Sequence, residues 1–168
     1  SVLLRQPDWK AIQAPKLQEI AEKLLDPPKG FDIRLGKIPG FSGEGLRYLI
    51  HYTCETMRTP RYLEVGVFFG ATFAMAMWEK EGRFLGIDTL SEFRLSELGT
   101  PDEGRLKVGL REQREQIQAV LATWGRGQAL FYEQDQLSVP PKLVKEKLEG
   151  GVNVFFYDGD HSAEATAA

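Results

Sequence analysis

Cysteine is nearly absent from the chain: Cys54 stands alone among 168 residues, so no internal disulfide can form. A lone thiol fits the reducing cytosol, and a cytoplasmic location is the expectation. Long apolar runs are missing as well. None approaches the roughly 20 residues that cross a bilayer, and the opening stretch SVLLRQPDWK carries no apolar core of the kind found in secretory leaders, so no membrane partner is expected. Nor is there a basic excess. Lys and Arg number 21 against 24 Asp and Glu, for a net charge of -3. That leaves no positive field to track a phosphate backbone and argues against nucleic acid as a partner. The basic stretch at 105–114 is offset by Glu103, Glu112 and Glu115. Internal repeats, low-complexity tracts and a G-x-x-x-x-G-K-S/T phosphate loop are all lacking.

What is present is apolar material, 42% of residues, sufficient for one hydrophobic core in a chain of single-domain length. Residues 61–88, RYLEVGVFFGATFAMAMWEKEGRFLGID, organise the rest. A short apolar run at 62–67 predicts a strand, 71–79 a helix, and 83–87 a second strand that closes on Asp88. Strand, glycine turn, helix, strand and acid together make the opening βαβ unit of a nucleotide-binding α/β fold. Ahead of it, residues 1–60 read as a helical amino-terminal extension. Pro15 opens a helix with Leu17, Ile20, Ala21, Leu24 and Leu25 on one face, Pro27 and Pro28 end it, and 29–40 reads as loop. A second helix is predicted at 43–57 with Ser42 as N-cap, Cys54 packed and His51 partly exposed. His51 and Cys54 alone make a poor metal pair.

Beyond Asp88, residues 89–104 are polar and turn-rich, and 105–124 predicts a long amphipathic helix. A third strand is expected at 128–132, a short helix at 142–148 and a fourth strand at 152–157. That last run is so apolar that it reads as a buried parallel strand. Four strands alternating with helices give α/β with a parallel sheet.

The glycine turn reads Gly66-Val67-Phe68-Phe69-Gly70. A dinucleotide fingerprint, G-x-G-x-x-G, needs its second glycine so that a pyrophosphate can approach the backbone. Phe68 stands there, which disfavours NAD and FAD, and with them a dehydrogenase. Glu64-Val65-Gly66-(x)3-Gly70 followed by Asp88 resembles motif I and the ribose-binding acid of class I S-adenosylmethionine-dependent methyltransferases. The resemblance extends over 61–165 and includes Asp135 after the third strand and Asp158 after the fourth. The run Asp158-Gly159-Asp160-His161-Ser162 looks most like the subgroup in which Asp-Gly-Asp-His-Ser follows strand four.

The resemblance implies a Rossmann-like S-adenosylmethionine-binding domain over 61–168. Glu64, Gly66, Phe68, Gly70, Asp88 and Asp135 would contact the cofactor, and a small molecule would be the methyl acceptor. Asp88 would accept the ribose hydroxyls, and Asp135 would face the adenine amino group. Asp158 would line the active site and help hold a divalent cation such as Mg, while His161, which titrates near neutrality, would serve as general base. Plainer roles stand beside these. Glu64 could pair with a surface Arg, Asp88 could cap a turn, Glu133 could stand in for Asp135, and Asp160 or Ser162 could cap a following helix with His161 a bystander. A non-catalytic nucleoside-binding or interaction domain on the same fold is the alternative function. The resemblance further implies a sheet ordered 3-2-1-4-5-7-6, of which this sequence covers strands one to four. The sequence therefore reads as the amino-terminal half of that sheet, with the carboxyl-terminal part missing and its cation ligands missing with it. Otherwise another chain, as in a homo-oligomer, would cover the open edge of strand four.

Overall fold

A computed structural model of the chain describes residues 22–24, 26–40, 42–91, 93–94 and 107–159. Its centre is a four-stranded, all-parallel sheet of β1 (Arg61–Val65), β2 (Arg83–Asp88), β5 (Ala129–Glu133) and β6 (Val154–Tyr157), in the order β5-β2-β1-β6. Two-residue strands β3 (Phe93–Arg94) and β4 (Lys107–Val108) pair antiparallel as a separate ribbon. The chain runs outward from β1 through β2 to β5, then returns to pair β6 on the other flank of β1. The fold is the α/β, Rossmann-like arrangement read from the sequence. The reversal of direction falls between β1 and β6, at the point where open parallel sheets leave a crevice above their carboxyl ends.

Side-chain alternation divides the sheet into two faces. On one, Tyr62, Phe84 and Val154 pack with α2 (Glu44–Glu55), α3 (Ala71–Met77) and α4 (Leu110–Trp124). All seven residues of α3, Ala-Thr-Phe-Ala-Met-Ala-Met, are buried, because this helix lies between the sheet and α2. The other face carries Val65, Leu85 and Ile87 against Val139, Leu148 and α5 (Pro141–Lys147). There β6 is an edge strand with Phe155 58% exposed, the open apolar edge expected of a sheet limited to these four strands. Both faces share β1, whose Leu63 and Val65 serve one and whose Tyr62 and Glu64 serve the other.

Several boundaries move for identifiable reasons. The loop expected at 29–40 contains a short helix, α1 (Ile33–Gly36), because the Asp32 carboxylate caps it by accepting from Arg34 N at 3.0 Å. Ser42 does not cap α2. Gly43 holds that position, and the Ser42 hydroxyl accepts instead from Arg47 Nε at 3.1 Å. His51 is buried at 4% exposure, with its ring 4.7 Å from that of Trp78. Burial pushes its imidazole down to about 4 and keeps it neutral. The long helix starts at Leu110, behind Gly109, and residues 107–108 are extended instead of helical. Most of the helix expected after Pro15 lies outside the described residues.

Candidate functional site

β1 ends at Val65, and the chain turns through Gly66-Val67-Phe68-Phe69-Gly70 before entering α3. Three of these residues adopt left-handed backbone: Gly66 at φ 88°, Phe68 at 55° and Gly70 at 82°. Gly66 cannot be replaced. A Cβ there would sit 2.3 Å from the Asp158 carbonyl oxygen and 2.7 Å from Gly159 N, both rigid backbone. The turn of β1 is therefore pressed against the chain leaving β6, which also donates Asp158 N to Val65 O at 2.8 Å. A phenylalanine held at positive φ is strained, and strain of this kind gathers at ligand-binding turns.

Asp88 explains how the strained turn is held. One carboxylate oxygen accepts from Phe68 N at 2.7 Å and the other from Leu90 N at 2.8 Å. The acid that ends β2 is thereby fastened to the middle of the turn that follows β1. Its turn-capping role is observed directly, and each oxygen retains a lone pair for a further donor.

Glu64 lies beneath the turn, wholly enclosed at 0% exposure. Its carboxyl group accepts from the Tyr62 hydroxyl at 2.6 Å and the Thr72 hydroxyl at 2.5 Å. Among the described residues no arginine is bonded to it. Burial pushes the acid up to about 8, against the lowering effect of the two hydroxyls, and the nearby charges of Asp158 and Asp88 raise it further. Glu64 is thus a buried support that ties β1 to the first turn of α3. Tyr62 and Thr72 were not singled out from the sequence. Their signal was Tyr62-x-Glu64, two polar groups on one face of a strand, with a hydroxyl just past the glycine turn.

On the outer side of the turn a small pocket of about 30 Å³ is lined by Gly40, Ser42, Gly66, Phe68, Thr72 and Asp158 among others. It brings Asp158 and the amino-terminal segment onto the same turn. Asp135 is elsewhere in character: exposed, it caps the 3-10 turn Gln136–Ser138 by accepting from Leu137 N at 2.9 Å. Glu133, the alternative to it, is held by the Arg114 guanidinium through both carboxylate oxygens, which lowers its pKa. Asp160 and His161 lie outside the described residues. Among the described residues no three His, Cys, Asp or Glu side chains converge on one point, so Asp158 has no ligand set around it there and no cation step is derived.

A separate groove of about 630 Å³ lies on the opposite face, beside α5 and β6, lined by Leu63, Val144, Val152, Phe155 and their neighbours. It contains none of the acids discussed above. Among the described residues no helix is long and apolar enough to cross a membrane. Compared with protein-family models, with curated proteins and with solved structures, the chain returned no match.

Proposed function

We propose that the chain is an S-adenosylmethionine-dependent methyltransferase acting on a small-molecule acceptor. One observation carries the reading: the acid ending β2 is bonded to the middle of the glycine turn after β1, at the reversal point of a parallel sheet. A ligand lying over that turn meets the backbone of Gly66, Phe68 and Gly70 at one end. At the other it meets an acid with accepting capacity for two ribose hydroxyls. Phe68 obstructs a pyrophosphate but not a phosphate-free nucleoside. The acids Asp88 and Asp158 stand at the turn and favour a cationic ligand over an anionic one, while the buried Glu64 supports the turn from beneath. Asp135 caps the turn that follows β5, and in this reading it serves the adenine amino group.

Bound, S-adenosylmethionine supplies an electrophilic methyl group on a sulfonium. The protein's part is to orient the acceptor in line with the carbon–sulfur bond and to take its proton. In this reading Asp158 assists the acceptor and His161 is the base. The acceptor is a small molecule on charge grounds, since a net charge of -3 gives nucleic acid no foothold. A second reading, a nucleoside-binding domain without turnover, is favoured by Asp88 itself. With both oxygens bonded to backbone, the turn keeps its shape without any ligand.

Titration calorimetry with S-adenosylmethionine and with its demethylated product tests the assignment. Micromolar binding is expected, and Asp88→Ala should weaken it on the order of tenfold to a hundredfold, as for one or two lost charge-assisted bonds. A folded chain that binds neither compound ends the cofactor assignment. Binding without methyl transfer to any hydroxyl- or amine-bearing acceptor selects the second reading.

A further inference from the structure

Arg47 is almost wholly buried, at 8% exposure, yet none of its described hydrogen bonds goes to a carboxylate. Its guanidinium donates to the carbonyls of Leu35 at 3.1 Å, Ile38 at 3.0 Å and Ser42 at 3.1 Å, and to the Ser42 hydroxyl at 3.1 Å. Burying a cation on neutral oxygens is costly, and burial lowers its pKa accordingly. The planar fork gathers three carbonyls from one segment, which a lysine could not do. That segment is the one whose Pro39, Gly40 and Ser42 wall the small pocket over the glycine turn. Gly40 sits so close that a Cβ on it would lie 3.3 Å from the Ala71 Cβ and 3.4 Å from Arg47 Nη2.

A pocket of about 30 Å³ is too small for an adenine ring and takes only a compact head group. Its lining includes Ser42, Thr72 and Asp158 beside the residues of the glycine turn. The Asp158 residue on that lining suits the ammonium of an amino-acid end. We propose that Arg47 is a positioning residue: through Leu35, Ile38 and Ser42 it fixes the amino-terminal segment as the outer wall of the pocket that receives the amino-acid end of the ligand. The inference rests on the nucleoside-sulfonium reading and adds to it that the segment before β1 selects for that end. Arg47 touches no ligand; it acts through the wall.

The test compares S-adenosylmethionine with 5′-methylthioadenosine, which lacks the amino-acid end, on the full chain. For Arg47→Gln the affinity for S-adenosylmethionine should fall about tenfold or more while that for methylthioadenosine changes less than about threefold. Arg47→Lys should not restore it, because a single ammonium cannot span three carbonyls. Equal losses for both ligands, or no loss in a folded variant, would overturn the proposal. Should Arg47→Gln not fold, amide exchange on the unaltered chain decides. Saturating S-adenosylmethionine should slow exchange across 38–42, methylthioadenosine should not, and exchange unchanged under saturation overturns the proposal. If the unaltered chain binds neither ligand, it is the parent reading that fails.

Discussion

The two faces of the sheet are built to different standards. On the face covered by α2, α3 and α4, Tyr62, Phe73, Met75 and Met77 have no exposed surface at all. On the face covered by α5, Phe155, Leu137 and Val152 are 58%, 54% and 40% exposed, and a groove of about 630 Å³ runs beside them. The glycine turn stands on the filled face. Thr72, Glu64 and Tyr62 couple it to a core that cannot rearrange cheaply. Asp158, by contrast, is delivered by an edge strand packed on one flank only. The part of the site that would hold a nucleoside is therefore rigid, and the part that would meet an acceptor depends on how β6 is covered.

The sharpest way to break this contrast is to empty the filled face. Phe73→Ala removes a wholly buried ring that stacks on Tyr62 at 6.2 Å between centroids. It should cost about 3–5 kcal/mol of unfolding free energy. Leu143→Ala, on the half-covered face, should cost about 1 kcal/mol. Urea denaturation of both variants measures the difference, and equal losses would show that the faces are packed alike.

A second contrast is electrostatic, and it belongs to the filled face alone. Glu64 is raised by burial from an ordinary 4.5 to about 8, so between those values the folded chain holds a proton that the unfolded chain has released. Stability is then fully present below pH 4.5 and lost as pH rises toward 8, by an amount on the order of a few kcal/mol. Glu64→Gln, which cannot ionise, should flatten that decline. The comparison is made by denaturation at a series of pH values from 4.5 to 8.5. An unchanged slope would mean that the Glu64 carboxylate is better solvated than its enclosure implies.

How much of this was legible beforehand differs between the two faces as well. The strands, the glycine turn and Asp88 could be read because each leaves a local mark: apolar runs of strand length, a glycine where no Cβ fits, an acid closing a strand. The parallel orientation of the strands followed from their alternation with helices. Burial could not be read in the same way. The run 152–157, almost without polar residues, reads as a strand made for burial, but how far it is covered depends on which neighbours it acquires. Arg47 went unnoticed for a similar reason. A guanidinium on a helix looks solvated until the carbonyls of Leu35, Ile38 and Ser42, 12, 9 and 5 residues away, close around it. His51 was hidden by the same long-range packing, through Trp78. Glu64 was read as a cofactor-contacting acid of the turn, but its enclosure and its two hydroxyl partners place it under the turn and not within it.

The smallest expected effect sharpens the comparison from the open side. Phe155 lies 58% exposed on β6, its ring 6.1 Å from that of Tyr157, with the groove beside it. If that face is open in solution, Phe155→Ser exchanges exposed ring for exposed hydroxyl, and the unfolding free energy should change by no more than about 0.5 kcal/mol. If a second copy of the chain covers the face, the same substitution strips an apolar anchor from an interface. The loss then rises to about 2 kcal/mol or more and grows with protein concentration. Denaturation at two concentrations a hundredfold apart, with sedimentation velocity on both chains, separates these outcomes. A small, concentration-independent change keeps the two faces distinct. A large one would mean that the open face is closed by association, and that Asp158 is held as firmly as the turn it adjoins.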